Sequence, residues 1–64
     1  MKILVVGGGG REHAVIKKLK ENKEAETIYA LPGNGGMKKD AICVDIAAKD
    51  IDGMVRFALE NGID

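Results

Sequence analysis

A chain of 64 residues has room for one small core and no second domain, and at this size folding buries only roughly 60% of the surface the unfolded chain exposes. Hydrophobic residues at 45% and charged residues at 31% mark a globular chain and argue against a disordered tail. Ten basic residues balance ten acidic ones, so no general attraction to nucleic acid or to an anionic membrane surface is expected, and anion binding must come from placement.

The chain opens on "KILVV", Lys2 to Val6, a short apolar run bounded by glycine. That pattern suits a strand buried on both faces of a parallel sheet. The run is too short for a secretory or membrane-spanning segment, so the chain is read as cytoplasmic. "REHAVIKKLKEN" follows as a helix, with Ala14, Val15, Ile16 and Leu19 on its apolar side and Lys17, Lys18 and Lys20 near its carboxyl end, where cations suit the helix dipole. "TIYAL", Thr27 to Leu31, reads as a second strand, stopped by Pro32 and the turn-rich "PGNGG". "AICVDI", Ala41 to Ile46, reads as a third. Asp50 then caps a second helix whose apolar positions Ile51, Met54, Val55, Ala58 and Leu59 recur at helical spacing, and Gly62 closes it.

Strands are therefore expected near 2–6, 27–31 and 41–46, and helices near 11–22 and 51–61. In a parallel α/β sheet the strand order should be 3-2-1, with the first strand at an edge. After Gly62 only Ile63 and Asp64 remain where a strand-helix rhythm begins its next strand, so the expectation is a fragment of a larger, doubly wound domain. Cys43 is the only cysteine and His13 the only histidine, which excludes an internal disulfide and offers no metal-ligand cluster.

Chemistry concentrates in "VVGGGGREH". Backbone without Cβ atoms takes positive φ and admits an anionic or sugar group, while the following helix presents unpaired N–H donors. A dinucleotide fingerprint requires G-x-G-x-x-G, and its third glycine falls on Glu12 or, one residue on, on His13. The acid expected near the end of the second strand is also missing, since "TIYAL" ends on Ala30 and Leu31. No P-loop pattern occurs either. Loops after the first and second strands should leave the sheet at one edge and border one crevice.

"VVGGGGREHA" followed by "LPGNGG" resembles the amino terminus of the phosphoribosylamine–glycine ligase (glycinamide ribonucleotide synthetase) family. Gly7, Gly9, Gly10, Arg11, Glu12, His13 and Ala14 match its first motif, and Pro32, Gly33, Asn34 and Gly36 match its second. Met37 stands where threonine is common, and "VIKK" replaces a frequent tryptophan-containing stretch. The resemblance covers residues 1–64 and implies the first part of a Rossmann-like, pre-ATP-grasp substrate-binding domain, truncated to three strands and two helices. It implies a ligase of de novo purine synthesis that activates glycine as an acyl phosphate for attack by phosphoribosylamine. ATP and magnesium or manganese would be held by domains outside this chain, and the fragment alone would be inactive. Its partners would be phosphoribosylamine, glycine, ATP and the remaining domains of the enzyme, with no nucleic acid and no membrane.

On this resemblance, Gly9, Gly10, Arg11, Glu12, Gly33 and Asn34 are the substrate-binding candidates, and no catalytic or metal-binding residue is expected among the 64. Each has a plainer alternative. The glycines can serve a tight turn, Arg11 and Glu12 a solvated pair at a helix start, and Asn34 the left-handed conformation of a turn. His13 reads as a structural hydrogen-bonding group rather than an acid or base, and Cys43 as a small buried hydrophobe. Met37, Lys38, Lys39 and Asp40 read as an exposed connector. A nucleotide- or dinucleotide-binding module and a non-catalytic interaction module using a free sheet edge stand as alternative functions.

Overall fold

The computed structural model describes residues 1–64. In chain order the elements are β1 (Lys2–Gly7), α1 (Gly10–Leu19), β2 (Thr27–Pro32), a 3-10 helix (Gly35–Lys39), β3 (Ile42–Cys43) and α2 (Ile51–Glu60). The three strands form one parallel sheet ordered β1-β2-β3, with β1 at an edge as expected. β1 and β2 pair along their full length, from Lys2↔Thr27 to Gly7↔Pro32. Parallel neighbours need a crossover, and α1 provides it.

β3 is shorter than the apolar run 41–46 predicts. Only Ile42 and Cys43 pair, with Tyr29 and Ala30. Val44 adds one more bond, its N–H donating to the Ala30 carbonyl at 3.0 Å, but the Ile46 N–H then turns back onto the Val44 carbonyl at 2.8 Å. That tight turn ends the strand. α1 likewise stops at Leu19 rather than 22, because Glu21 and Asn22 donate three residues back, to the Lys18 and Leu19 carbonyls, and so tighten the last turn.

Alternation along β2 divides the molecule into two faces. Ile28 and Ala30 join Ile16 and Met37 in the buried core, flanked by Val5, Leu19, Ala25, Ala41 and Cys43. Burying a side chain of the size of Ile16 contributes roughly 1.5–3 kcal/mol. Tyr29 points the other way and meets Phe57 of α2 edge to face, ring centroids 5.0 Å apart at 80°. The two helices thus cover opposite faces of the sheet, the doubly wound arrangement.

The faces that the helices turn inward differ from the expected ones. In α1, Ile16 is fully buried and Leu19 half-buried, but Val15 and Ala14 are exposed. Glu12 and His13 share the inward face with Ile16 and Leu19, at the spacing that brings helix residues onto one side. In α2 the inward set is Met54, Phe57, Ala58 and Asn61, while Ile51, Val55 and Leu59 stay 67%, 53% and 79% exposed. The predicted periodicity is present, but a sheet of three short strands covers only half of that stripe. β1 is likewise only partly buried, and Val6 is exposed.

The helix caps follow the sequence. The Asp50 carboxylate accepts the Gly53 N–H at 3.0 Å, and Gly62 turns through φ +63° beyond α2. A Cβ at Gly53 would lie 2.5 Å from that same carboxylate, so this helix glycine makes room for the cap. At the free side of β1, the Asp64 N–H donates to the Lys2 carbonyl at 2.9 Å and its carboxylate accepts the Lys2 N–H at 2.7 Å. No helix is long and apolar enough to cross a membrane.

Candidate functional site

Because β1 and β2 run parallel and in register to Gly7↔Pro32, the loops that follow them leave at the same edge. The first loop starts at Gly7, φ +130°, and the second at Gly33, φ +71°, both left-handed conformations that favour glycine. The Gly33 N–H donates to the Gly7 carbonyl at 3.2 Å, one rung beyond the strands. A Cβ at Gly8 would sit 2.6 Å from the Gly33 carbonyl oxygen, so the two loops touch backbone to backbone. The Asn34 side-chain amide closes the junction by donating to the Gly8 carbonyl at 2.6 Å.

Asn34 does not occupy the left-handed conformation suggested for it; its φ is −152° and Gly33 carries the turn. Its side chain works in two directions. While its Nδ2 reaches Gly8, its Oδ1 accepts the Met37 N–H at 3.1 Å and starts the 3-10 helix. That helix overturns the expected exposed connector of Met37 to Asp40, because it folds Met37 fully into the core and half-buries Asp40, leaving Lys38 and Lys39 of those four in solvent.

Among the candidate residues, Gly9, Gly10 and Arg11 are exposed at the start of α1. The N–H groups of Gly10, Arg11 and Glu12 belong to the first turn and have no carbonyl partner within the helix, which makes this end an anion-attracting pole. Gly10 has nothing within 4 Å of where a Cβ would stand. Glu12 is partly committed: its carboxylate accepts the Gly9 N–H at 3.1 Å and fills the space beside Gly7. This sheet edge therefore presents the first-turn backbone donors of α1 beside a junction that the Asn34 amide closes.

Sequence reasoning missed the charge cluster beneath these loops. His13 Nε2 lies 3.0 Å from one Asp40 oxygen, and Lys20 Nζ donates to the other at 3.0 Å. The Lys20 ammonium first, then the His13 ring, hold the Asp40 carboxyl below the ordinary carboxylate range. His13 is the structural hydrogen-bonding group the sequence suggests, and its partner is an acid 27 residues away that carries no local signal. Cys43 is half-buried, its thiol donating to the Asn34 carbonyl at 3.5 Å. Nowhere do three His, Cys, Asp or Glu side chains converge on one point.

Over residues 1–64 the chain matches the family described as phosphoribosylglycinamide synthetase, N domain. The chain belongs to this family. Among its curated relatives, the phosphoribosylamine–glycine ligase of Caldanaerobacter subterraneus subsp. tengcongensis is 52% identical over 64 residues, covering 100% of this chain and 15% of the relative. The ligases of Lactococcus lactis and Clostridium acetobutylicum are 50% and 45% identical, over 98% and 100% of this chain and 16% and 15% of theirs. This synthetase N-domain chain thus spans about 15% of the length of the relatives it matches. The match places both glycine loops and the cluster beneath them inside the N domain of the family.

Proposed function

We propose that the chain is the amino-terminal part of an ATP-dependent ligase that joins glycine to 5-phosphoribosylamine, giving glycinamide ribonucleotide, ADP and phosphate, and that it helps to bind the phosphoribosylamine. The observation that carries this is the junction of the two glycine loops at one sheet edge, beside the open amino end of α1. The family membership supplies the reaction. The remaining domains, including the ATP-grasp region with its ATP and magnesium or manganese, belong to the longer ligase chain, and the assembled enzyme works in the cytoplasm.

The part played by these residues is binding and orientation. Gly9 and Gly10 let the sugar phosphate approach the backbone, the first N–H groups of α1 favour its negative charge, and Arg11 supplies a mobile cation at the rim. Asn34 shapes the site through its bonds to Gly8 and Met37, and the Glu12 carboxylate, which accepts the Gly9 N–H, keeps acceptor capacity for a ribose hydroxyl. No step of phosphoryl transfer is assigned to this chain.

Gly10→Val is the cleanest test. A Cβ at Gly10 would meet nothing within 4 Å, so a loss confined to one substrate, with the melting temperature unchanged, reflects the bound molecule. In the full-length ligase it is expected to raise KM for phosphoribosylamine by roughly tenfold or more while leaving the KM for ATP and glycine unchanged. Glu12→Ala should act in the same direction by about three- to tenfold, the worth of one hydrogen bond, and Asn34→Ala by at least as much, through the Gly8 and Met37 bonds it removes. Equal losses for all three substrates would show that the loops are only structural.

A further inference from the structure

We infer that His13 and Asp40 are positioning residues for the proposed phosphoribosylamine site, holding the second glycine loop and its 3-10 helix against the amino end of α1 from beneath. This rests on the crevice as read above and assigns work to two residues that line none of it.

The contacts form a closed circuit. The Asn34 amide ties the second loop to Gly8 of the first, and its Oδ1 starts the 3-10 helix through the Met37 N–H. At the other end of that helix, the Asp40 and Ala41 N–H groups both donate to the Met37 carbonyl at 2.8 Å, which fixes Asp40 to the same turn. The Asp40 carboxylate then crosses to His13 of α1 and to Lys20, which caps its end, at 3.0 Å each. His13 belongs to the turn that Glu12 ties back to Gly9. The circuit thus returns to the first loop within a few residues of where it began.

Two details show that the arrangement is specific. The His13 ring passes 3.5 Å from where a Cβ at Gly36 would stand, so the 3-10 helix seats its bare second glycine against the imidazole. The His13 and Asp40 side chains are only 24% and 18% exposed, so their bond is shielded from competing water. Lys20 is 47% exposed and contributes less. If the bond is cut, the 3-10 helix keeps Met37 in the core but loses its tie to the start of α1. The Asn34 amide and the first-turn N–H groups are then held together only through the loop contacts at Gly7 and Gly8.

The experiment is steady-state kinetics on the full-length ligase, varying each substrate in turn, together with thermal melting. His13→Ala and Asp40→Ala are expected to raise KM for phosphoribosylamine by about three- to tenfold, with KM for ATP and glycine within about twofold of the parent. The double variant should be no worse than Asp40→Ala alone, because that change already cuts the His13 tie. His13→Gln, whose amide N–H can still reach Asp40, should recover most of the loss. Where an alanine variant does not fold, Asp40→Asn and His13→Gln carry the same comparison, the first impaired and the second near the parent. Lower melting temperatures with unchanged KM values, or equal rises for all three substrates, would overturn the inference. Gly10→Val separates it from the crevice itself. If Gly10→Val impairs phosphoribosylamine use and the His13 and Asp40 variants do not, positioning fails and the crevice stands. If Gly10→Val has no effect, both fall.

Discussion

Asp40 places one carboxylate between the Lys20 ammonium and the His13 ring, and its charge follows from that position. Its folded pKa lies below the ordinary range, chiefly through the Lys20 hydrogen bond. A carboxylate with a lowered folded pKa lends stability that is fully present above its unfolded pKa and lost as pH falls through the folded one. The chain is therefore expected to lose stability as the pH drops below about 4, and Asp40→Asn to remove part of that dependence while lowering stability near neutrality. Urea midpoints of both proteins across the acid range check this; identical pH profiles would show that the cluster contributes nothing. None of this was legible locally. Asp40 follows two lysines in what reads as a solvated connector, and only a tertiary partner reveals its role. Asn34 was legible as a turn residue with hydrogen-bonding capacity, but not as the cap of a 3-10 helix, because the run Gly35 to Lys39 has one apolar residue and no periodicity to announce a helix.

At the scale of elements, the same apolar spacing has two different outcomes. Ile16 sits under the sheet with no exposed surface, whereas Leu59, equally apolar and equally periodic, is 79% exposed. Ile16→Ala should cost about 2–5 kcal/mol through lost burial and the cavity left behind. Leu59→Lys should change the stability of this chain by no more than about 0.5 kcal/mol. Chemical denaturation of the two variants would decide it, and a large loss for Leu59→Lys would mean that the stripe is covered in solution. The strands β1 and β2 and both helices were readable because apolar runs, Pro32, Asp50 and Gly62 mark them. The ends of β3 and α1 were not, since they are set by turns that no residue type announces, at Ile46 and at Glu21 to Asn22. The periodicity of α2 told which residues share a face but not how much sheet lies beneath them.

For the molecule as a whole, the open edge of β1 governs behaviour. Lys2 turns its backbone N–H and carbonyl outward to Asp64, and alternation along the strand turns those of Leu4 and Val6 the same way, toward solvent. An unpaired strand edge invites another strand, and the half-exposed Val6 and Val15 and the bare stripe of α2 add apolar surface. The chain in isolation is expected to self-associate or to melt without cooperativity. Sedimentation showing a dilute-solution monomer with a sharp melt would contradict this. The parallel order, the edge position of β1 and the meeting of the two loops all follow from reading the chain as alternating strands and helices. How tightly the loops meet does not, because it depends on the missing side chains of Gly8 and Gly33.

That contact has a consequence for recombination between family members. Backbone touching backbone at Gly8 and Gly33 leaves no side chain to adjust if one loop is exchanged without the other, and the imidazole of His13 lies directly against Gly36. A crossover in the surface stretch from Asn22 to Glu24, the obvious place to cut between a helix and a strand, would part residues that meet only in space. Chimaeras joined there are expected to inherit mismatched halves of one device. Those joined after Cys43, beyond the last of these contacts, would carry the glycine loops, the 3-10 helix and the first helix across as a single transferable block.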